Sequence, residues 1–415
     1  MHLSKRIGRT SAPIVVALAN LVKQSGRTDV LSLAQGVVHW SPPETALKRV
    51  ESVLRAASTS KYGQDEGLLE LRTLLAGKLV PDTANHGKHL MITQGANQAL
   101  FSTLITVTDP KDSVGLLVPY YFNHHMALTA LDLRVHLIER DDDLHADPGK
   151  IELAIARGKL KALVLTNPCN PTGTAIPLAA LQAIQKACQK QRCTLIVDNT
   201  YRDFMFPPHK HGLVFGPNVF NVFSLSKNFG LAGWRIGYVD CPSAQAFEAM
   251  LKVQDTVVIC PTQVSQHAAL GALEADEDWL QSRVASLPEN LQAVRQALVD
   301  SRAVTKVCGG EGSIFVFAKL GGFQPTSKGK ARDDEEGGEE ELVDDYFVVQ
   351  QLVERFGVAV LPGAACGMDG WVRVSFANLP KDTCLEASKR LRLGLATLRD
   401  EAWEEAAAAD KPRRK

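Results

Sequence analysis

The sequence predicts an α/β fold, a large domain on a mostly parallel sheet joined to a smaller α+β unit, and three observations predict it. Short apolar runs without polar alternation recur in HLMITQG, SVGLLVPYY, RVHLIER, ALVLTNP, TLIVDNT and NVFNVFSLSK. Such runs suit strands buried on both faces. Helical stretches such as PLAALQAIQKACQKQR separate most of them, and strand–helix alternation builds parallel sheets. Farther on the order changes. Long helical patterns at 263–302 precede the strand-like GSIFVFAKL, VAVLPG and WVRVSFA and a long final helix.

The elements follow in order. Residues 1–28 carry Lys5, Arg6, Arg9, Lys23 and Arg27 and no acidic side chain, a composition shared with transit peptides. APIVVALANLVKQ nevertheless reads as an amphipathic helix leading into the next strand, which favours a mature, cytoplasmic start. Ser41-Pro42-Pro43-Glu44 predicts a helix start, with the serine as cap, proline in the first turn and the glutamate closing a capping box. The helix behind it aligns Ala46, Leu47, Val50, Val53 and Leu54 on one face. These patterns divide the chain into an N-terminal arm with part of the small domain at 1–46, a large domain at 47–265 and a small C-terminal domain at 266–415. Within the last, KGKARDDEEGGEEELVDD breaks all periodicity, and 324–344 reads as a solvated, disordered acidic insertion. The terminal DKPRRK reads as frayed.

Composition narrows the function. Over 415 residues, 46 basic side chains balance 46 acidic ones, which points away from nucleic acid and anionic membrane as partners. No apolar stretch reaches the length of a membrane span. The eight cysteines are scattered with no CxxC pair, so they read as free thiols of a reducing compartment, with no metal site.

Ligands of open parallel sheets bind beyond the carboxyl ends of the strands, and unusual residues stand at those ends here. TLIVDNTY places Asp198 after an apolar run, where a buried carboxylate without a cationic partner is costly. ALVLTNPCNPTG ends in a turn with two Asn-Pro steps. LMITQGANQAL runs from strand through glycine to helix start, so the free N–H groups of Gly95, Ala96 and Asn97 offer an anion site. The GxxxxGK pattern of a P-loop is missing. SLSKNFGLAGWRIGY at 224–238 delivers Lys227 to a strand end and Arg235 eight positions later. Pyridoxal 5′-phosphate needs this whole set. Its phosphate takes N–H groups, hydroxyls and an arginine, its pyridine nitrogen a carboxylate, and its aldehyde a lysine.

TNPCNPTG at 166–173, DNTY at 198–201 and SLSKNFGLAGWRIGY at 224–238 resemble, in order and spacing, the class I aminotransferases, from about residue 11 onward. The resemblance implies the PLP-dependent transferase fold type I, with seven strands in the mostly parallel sheet of the large domain. LAQGVVHWSPP, YGQDEGLLELR, GANQA, PYYFN, VDNTY and VRVSFA are most similar to the plant-type enzymes acting on methionine and aromatic amino acids, with aromatic 2-oxo acids such as indole-3-pyruvate.

By this resemblance Lys227 holds the cofactor aldehyde and moves the substrate proton. Asp198 pairs with the pyridine nitrogen, and Tyr201 bonds the phenolic oxygen. Asn170 contacts the same oxygen and the substrate carboxylate, and Asn170-Pro171 is expected to be cis. Arg235 and Ser224 bind the phosphate together with the helix-start N–H groups, whereas Ser226 reads as a packing or hydrogen-bonding serine. Tyr121 stacks on the ring, with Tyr120 as the competing choice; His124 either supports Asp198 from behind or is structural. Arg373 grips the substrate α-carboxylate with two prongs. Gly36 lets the backbone approach the substrate, and Trp40 favours an apolar or aromatic side chain. His39 departs from the acidic residue common at its place in the family, and Cys169 reads as a small filler. Tyr62 resembles the tyrosine that reaches the neighbouring subunit's phosphate, which implies a homodimer with shared sites.

The implied reaction is ping-pong amino transfer between an L-amino acid, methionine or aromatic, and a 2-oxo acid. The alternative is a lyase, of the C–S or 1-aminocyclopropane-1-carboxylate synthase type, although Trp234 stands where those synthases usually carry phenylalanine. Aspartate or alanine transfer ranks behind; no clear arginine for a second carboxylate is present, which disfavours aspartate as the main donor.

Overall fold

Every apolar run singled out above becomes a strand in the computed structural model, which describes residues 3–79, 89–321, 323 and 343–409. Seven strands pair in the spatial order Leu90–Thr93, Gly237–Asp240, Val219–Ser224, Thr194–Asp198, Ala162–Thr166, Ser113–Val118, Arg134–Glu139. Six run parallel, and Gly237–Asp240 is antiparallel to both neighbours.

Successive strand residues face opposite sides, and the two cores follow that alternation. Leu163, Leu165, Leu195 and Val197 pack with Ile151, Ile155, Leu181 and Ile184 of helices Pro148–Gly158 and Leu178–Lys190. Their neighbours Val164 and Ile196 face the other way, toward Leu100, Leu104, Leu128 and Met250. Both faces are therefore covered, which is why these strands carry no polar alternation.

A four-stranded antiparallel sheet orders Leu361–Pro362, Trp371–Ser375, Phe315–Leu320 and Val304–Cys308. A short parallel pair joins Leu31–Ser32 to Val358–Ala359, tying the N-terminal segment to the C-terminal part of the chain. The amphipathic N-terminal run forms helix Ile14–Gln24, burying Ile14 and Leu18. The final helix spans Lys381–Ala409.

Two local expectations change. The helix expected at Ser41 starts at Glu44, with Pro43 as its N-cap and no side-chain cap bond. A residue before proline is held extended, so Pro42 cannot open a helix ahead of Pro43, and the capping box does not form. Leu54, placed on the apolar face, is 58% exposed beyond the helix end. Most of the acidic insertion, 324–342, lies outside the described residues, as does 410–415. Its last residue, Asp344, is ordered into structure: its carboxylate caps helix Asp345–Phe356 by accepting from the Phe347 N–H.

No helix among the described residues is long and apolar enough to cross a membrane. All eight cysteines are free, and no metal-binding group of His, Cys, Asp or Glu occurs among the described residues.

Candidate active site

The carboxyl ends of the parallel strands share one edge, and the side chains there converge. Asp198 ends its strand in register with Thr166 and Val222. Ser224 ends the next, opposite Gly237 of the antiparallel strand. Because that strand runs the other way, its amino end lies at the same edge, and this brings Arg235 back beside Ser224. Helix Ala96–Val107 starts there too, after Gly95 at φ 83°; the Gly95 N–H, expected to be free, donates back to the Thr93 carbonyl at 2.9 Å, which leaves the N–H groups of Ala96 and Asn97 at this start. The bound of the edge is a cavity of about 240 Å³ whose walls include Gly36, Ala96, Asn97, Tyr121, Asn170, Asp198, Tyr201, Ser224, Lys227, Arg235 and Arg373.

The phosphate end is built from backbone. A Cβ added at Gly95 would stand 2.5 Å from Arg235 Nη2, so only glycine admits the guanidinium beside the helix start. Arg235 itself donates to the Ala232 and Gln94 carbonyls at 2.9 and 3.4 Å. Ser226 lines the cavity as well, and its N–H donates to Ser224 Oγ at 3.1 Å.

Lys227 is half-buried and donates to the Gly36 carbonyl at 2.5 Å. Burial lowers its pKa to about 8, with Arg235 and Arg373 adding to the shift and Asp198 opposing it. Near neutrality an appreciable fraction is therefore free amine, the form that attacks carbonyls and accepts protons.

Asp198 is 4% exposed but not lone, as the sequence had suggested. Its Oδ1 accepts from the Thr200 N–H and hydroxyl at 3.0 and 2.6 Å. Its Oδ2 lies 3.0 Å from His124 Nε2. An ionised carboxylate only accepts, so Nε2 carries the proton, and the supporting role of His124 is the one the geometry favours.

Tyr121, not Tyr120, reaches the cavity. Its hydroxyl accepts from Asn123 Nδ2 at 2.8 Å, and burial pushes its pKa up against that bond. Tyr120 instead stacks on His125, ring centroids 4.9 Å apart. Tyr201 is also buried, which drives its phenol pKa up and keeps it protonated as a donor. Its ring meets Phe315 edge-on at 5.6 Å.

Arg373 is 2% exposed. Its Nη1 donates to Asn170 Oδ1 at 2.8 Å and its Nη2 to the Ala34 carbonyl at 2.7 Å. The guanidinium lies 4.2 Å from the Phe315 ring centroid. Its buried Nε has no partner. Asn170 sits before a cis Pro171, as expected.

Two expected residues stand elsewhere. Trp40 does not line the cavity: its indole N–H donates to the Asn228 carbonyl at 3.2 Å and its ring stacks on Phe204. That double commitment turns it away from substrate. Tyr62 is 80% exposed and lines a different hollow with Lys61, Cys260 and Gln263, outside this chain's own cavity. His39 faces the Ala377 carbonyl at 3.1 Å. Conversely, Val15, Gln35, Val37, Phe122 and Thr200 line the cavity without having been singled out. Only Thr200 carried a readable signal, a hydroxyl two residues after a strand-end aspartate.

The residues present suit pyridoxal phosphate. The helix start at Ala96 and Asn97 beside Arg235 and Ser224, a buried carboxylate, a lysine of lowered pKa and a buried arginine with an unpartnered Nε line one cavity. A family model described as aminotransferase class I and II matches residues 28–391. The chain belongs to that family. It is a PLP-dependent aminotransferase. It is 38% identical over 402 residues to the aromatic aminotransferase ISS1 of Arabidopsis thaliana, covering 95% of this chain and 97% of that one. It is 26% identical to the aspartate aminotransferase of Thermotoga maritima, covering 84% and 87%. Its fold is shared with an aminotransferase from Mycobacterium tuberculosis, TM-score 0.84 at 24% identity over 96% and 100% of the two chains. The Thermus thermophilus aspartate aminotransferase with maleate superposes at TM-score 0.83 and 25% identity, over 95% and 100%.

Proposed function

We propose that this aminotransferase transfers the amino group of large uncharged L-amino acids, aromatic ones and methionine, to aromatic 2-oxo acids such as phenylpyruvate or indole-3-pyruvate. The observation that carries the reading is the division of charge in the cavity. Arg373 and Asn170 form one carboxylate clamp, while Val15, Val37 and Phe122 supply apolar wall. Among the described lining residues the other cations are Lys227 and Arg235, which stand with the cofactor groups. The similarity to an aromatic aminotransferase supports the same substrate class.

Bound pyridoxal phosphate supplies an aldehyde for the amino group and a ring that accepts electrons. The chain's residues do the rest. Asp198, fixed by His124 and Thr200, holds a proton on the ring nitrogen. Lys227, whose lowered pKa of about 8 makes the free amine accessible, takes the proton from the substrate Cα as a general base. Arg373 orients the α-carboxylate so that this proton points at Lys227, and Tyr201 donates its hydroxyl to the phenolic oxygen. The reading includes a cytoplasmic homodimer in which the exposed Tyr62 completes the neighbour's phosphate site. It also includes the division at 1–46, 47–265 and 266–415; the two larger sheets lie within 90–240 and 304–375, while helices Glu44–Val53 and Gln263–Leu273 run across the two boundaries.

The test is the visible spectrum of the purified holoenzyme with L-tryptophan or L-methionine. Loss of the bound-cofactor band, and its return on adding phenylpyruvate, is the expected result. Ammonia or a thiol released from one amino acid alone would show a lyase and overturn the reading. A preference for aspartate over both donors would overturn the substrate class.

A further inference from the structure

We infer that Thr200 is a positioning residue that selects which oxygen of Asp198 receives the cofactor's ring N–H. The inference rests on the assignment of Asp198 to the pyridine nitrogen. A carboxylate offers about four lone-pair positions, two on each oxygen. Oδ1 has both taken, by the Thr200 N–H at 3.0 Å and the Thr200 hydroxyl at 2.6 Å. Oδ2 has one taken, by His124 Nε2 at 3.0 Å. Asp198 and Thr200 both line the cavity. The one position left to a ring N–H is therefore on Oδ2.

The hydroxyl is what saturates Oδ1. Without it the carboxylate has an open position on each oxygen and can present either one. The backbone N–H alone, part of an Asx-type turn, holds Oδ1 in place less firmly than the pair does. The short hydroxyl bond is charge-assisted, the stronger kind of hydrogen bond. Thr200 thus does for Oδ1 what His124 does for Oδ2, from the opposite side of the carboxylate. It also satisfies the buried carboxylate before a cofactor arrives, at 4% exposure, alongside the His124 contact.

The experiment compares wild-type protein with Thr200→Val, which keeps the shape and removes the donor, and Thr200→Ser, which keeps the donor. Apoprotein is titrated with pyridoxal phosphate by fluorescence for Kd, and holoprotein carrying 15N-pyridine cofactor is examined by NMR. For Thr200→Val the expected results are a roughly tenfold higher Kd, about 1.4 kcal/mol, and a displaced or broadened ring 15N signal. Thr200→Ser is expected to stay within about twofold of wild type in Kd with an unmoved signal. Wild-type Kd and 15N shift in Thr200→Val would overturn the inference. Equal impairment of both variants would do the same, because it would assign the side chain to packing. If borohydride reduction and peptide mapping of wild-type holoprotein fail to place the cofactor on Lys227, the site assignment itself falls, and that failure is separate from either Thr200 outcome.

Discussion

Replacing Arg373 by lysine keeps the charge and removes the fork. Arg373 uses Nη1 on Asn170 and Nη2 on Ala34 O, with Nε free, and it packs on Phe315. A lysine presents one nitrogen and cannot reproduce a two-pronged contact with a carboxylate. The loss of one charge-assisted hydrogen bond is about 1.5–3 kcal/mol. The lost stacking on Phe315 adds about 0.5–1 kcal/mol. Together these give about 2–4 kcal/mol, or roughly 30- to 1,000-fold in kcat/KM. The α-carboxylate is gripped before and during proton transfer, so the loss falls mainly on KM, with kcat changing less. The assay is steady-state transamination of L-tryptophan with phenylpyruvate, alongside binding of a carboxylate-free amine analogue. The amine should bind Arg373→Lys as well as wild type. A kcat/KM within threefold of wild type would refute the reasoning, as would an equal loss for the amine.

Lys227 predicts a pH dependence of the apoprotein. Its pKa falls from 10.5 unfolded to about 8 folded, so between these values the unfolded chain binds more protons and stability rises with pH. Below about pH 8 the buried charge costs about 3 kcal/mol; Lys227→Met apoprotein should gain on wild type at pH 7, and the gain should vanish by pH 10.5. Parallel urea midpoints across that window would contradict the lowered pKa. Gly36→Ala places a Cβ 2.7 Å from Phe315 Cζ, and overpacking of this kind costs about 1–3 kcal/mol. Because Phe315 lies against both Tyr201 and Arg373, the variant should lose substrate affinity as well as denaturant resistance; unchanged KM would show that Phe315 moves aside without disturbing the clamp.

Much of this site is legible in the sequence because its chemistry is local to strand ends. Asp198 and Ser224 end apolar runs, Lys227 follows three residues after Ser224, and Gly95 marks a strand-to-helix turn. The buried strands announce themselves through uninterrupted apolar runs, since both faces are covered. The start expected at Ser41 fails at a local signal too, because Pro43 holds Pro42 extended and the helix begins at Glu44.

The rest was decided by tertiary structure. Arg373 meets Asn170 across 203 positions of chain, and Lys227 meets the Gly36 carbonyl across 191; no local pattern encodes such pairings. Trp40 and Val37 lie three residues apart, yet only Val37 faces the cavity, because Phe204 and the Asn228 carbonyl claim the indole. Tyr120 and Tyr121 are adjacent, and the stacking of one on His125 leaves the other to the cavity. Residue types and strand ends thus determine which chemistry is on offer. Packing between distant segments determines which oxygen, ring and cation actually face it, because side-chain direction depends on contacts that form only when the chain has folded.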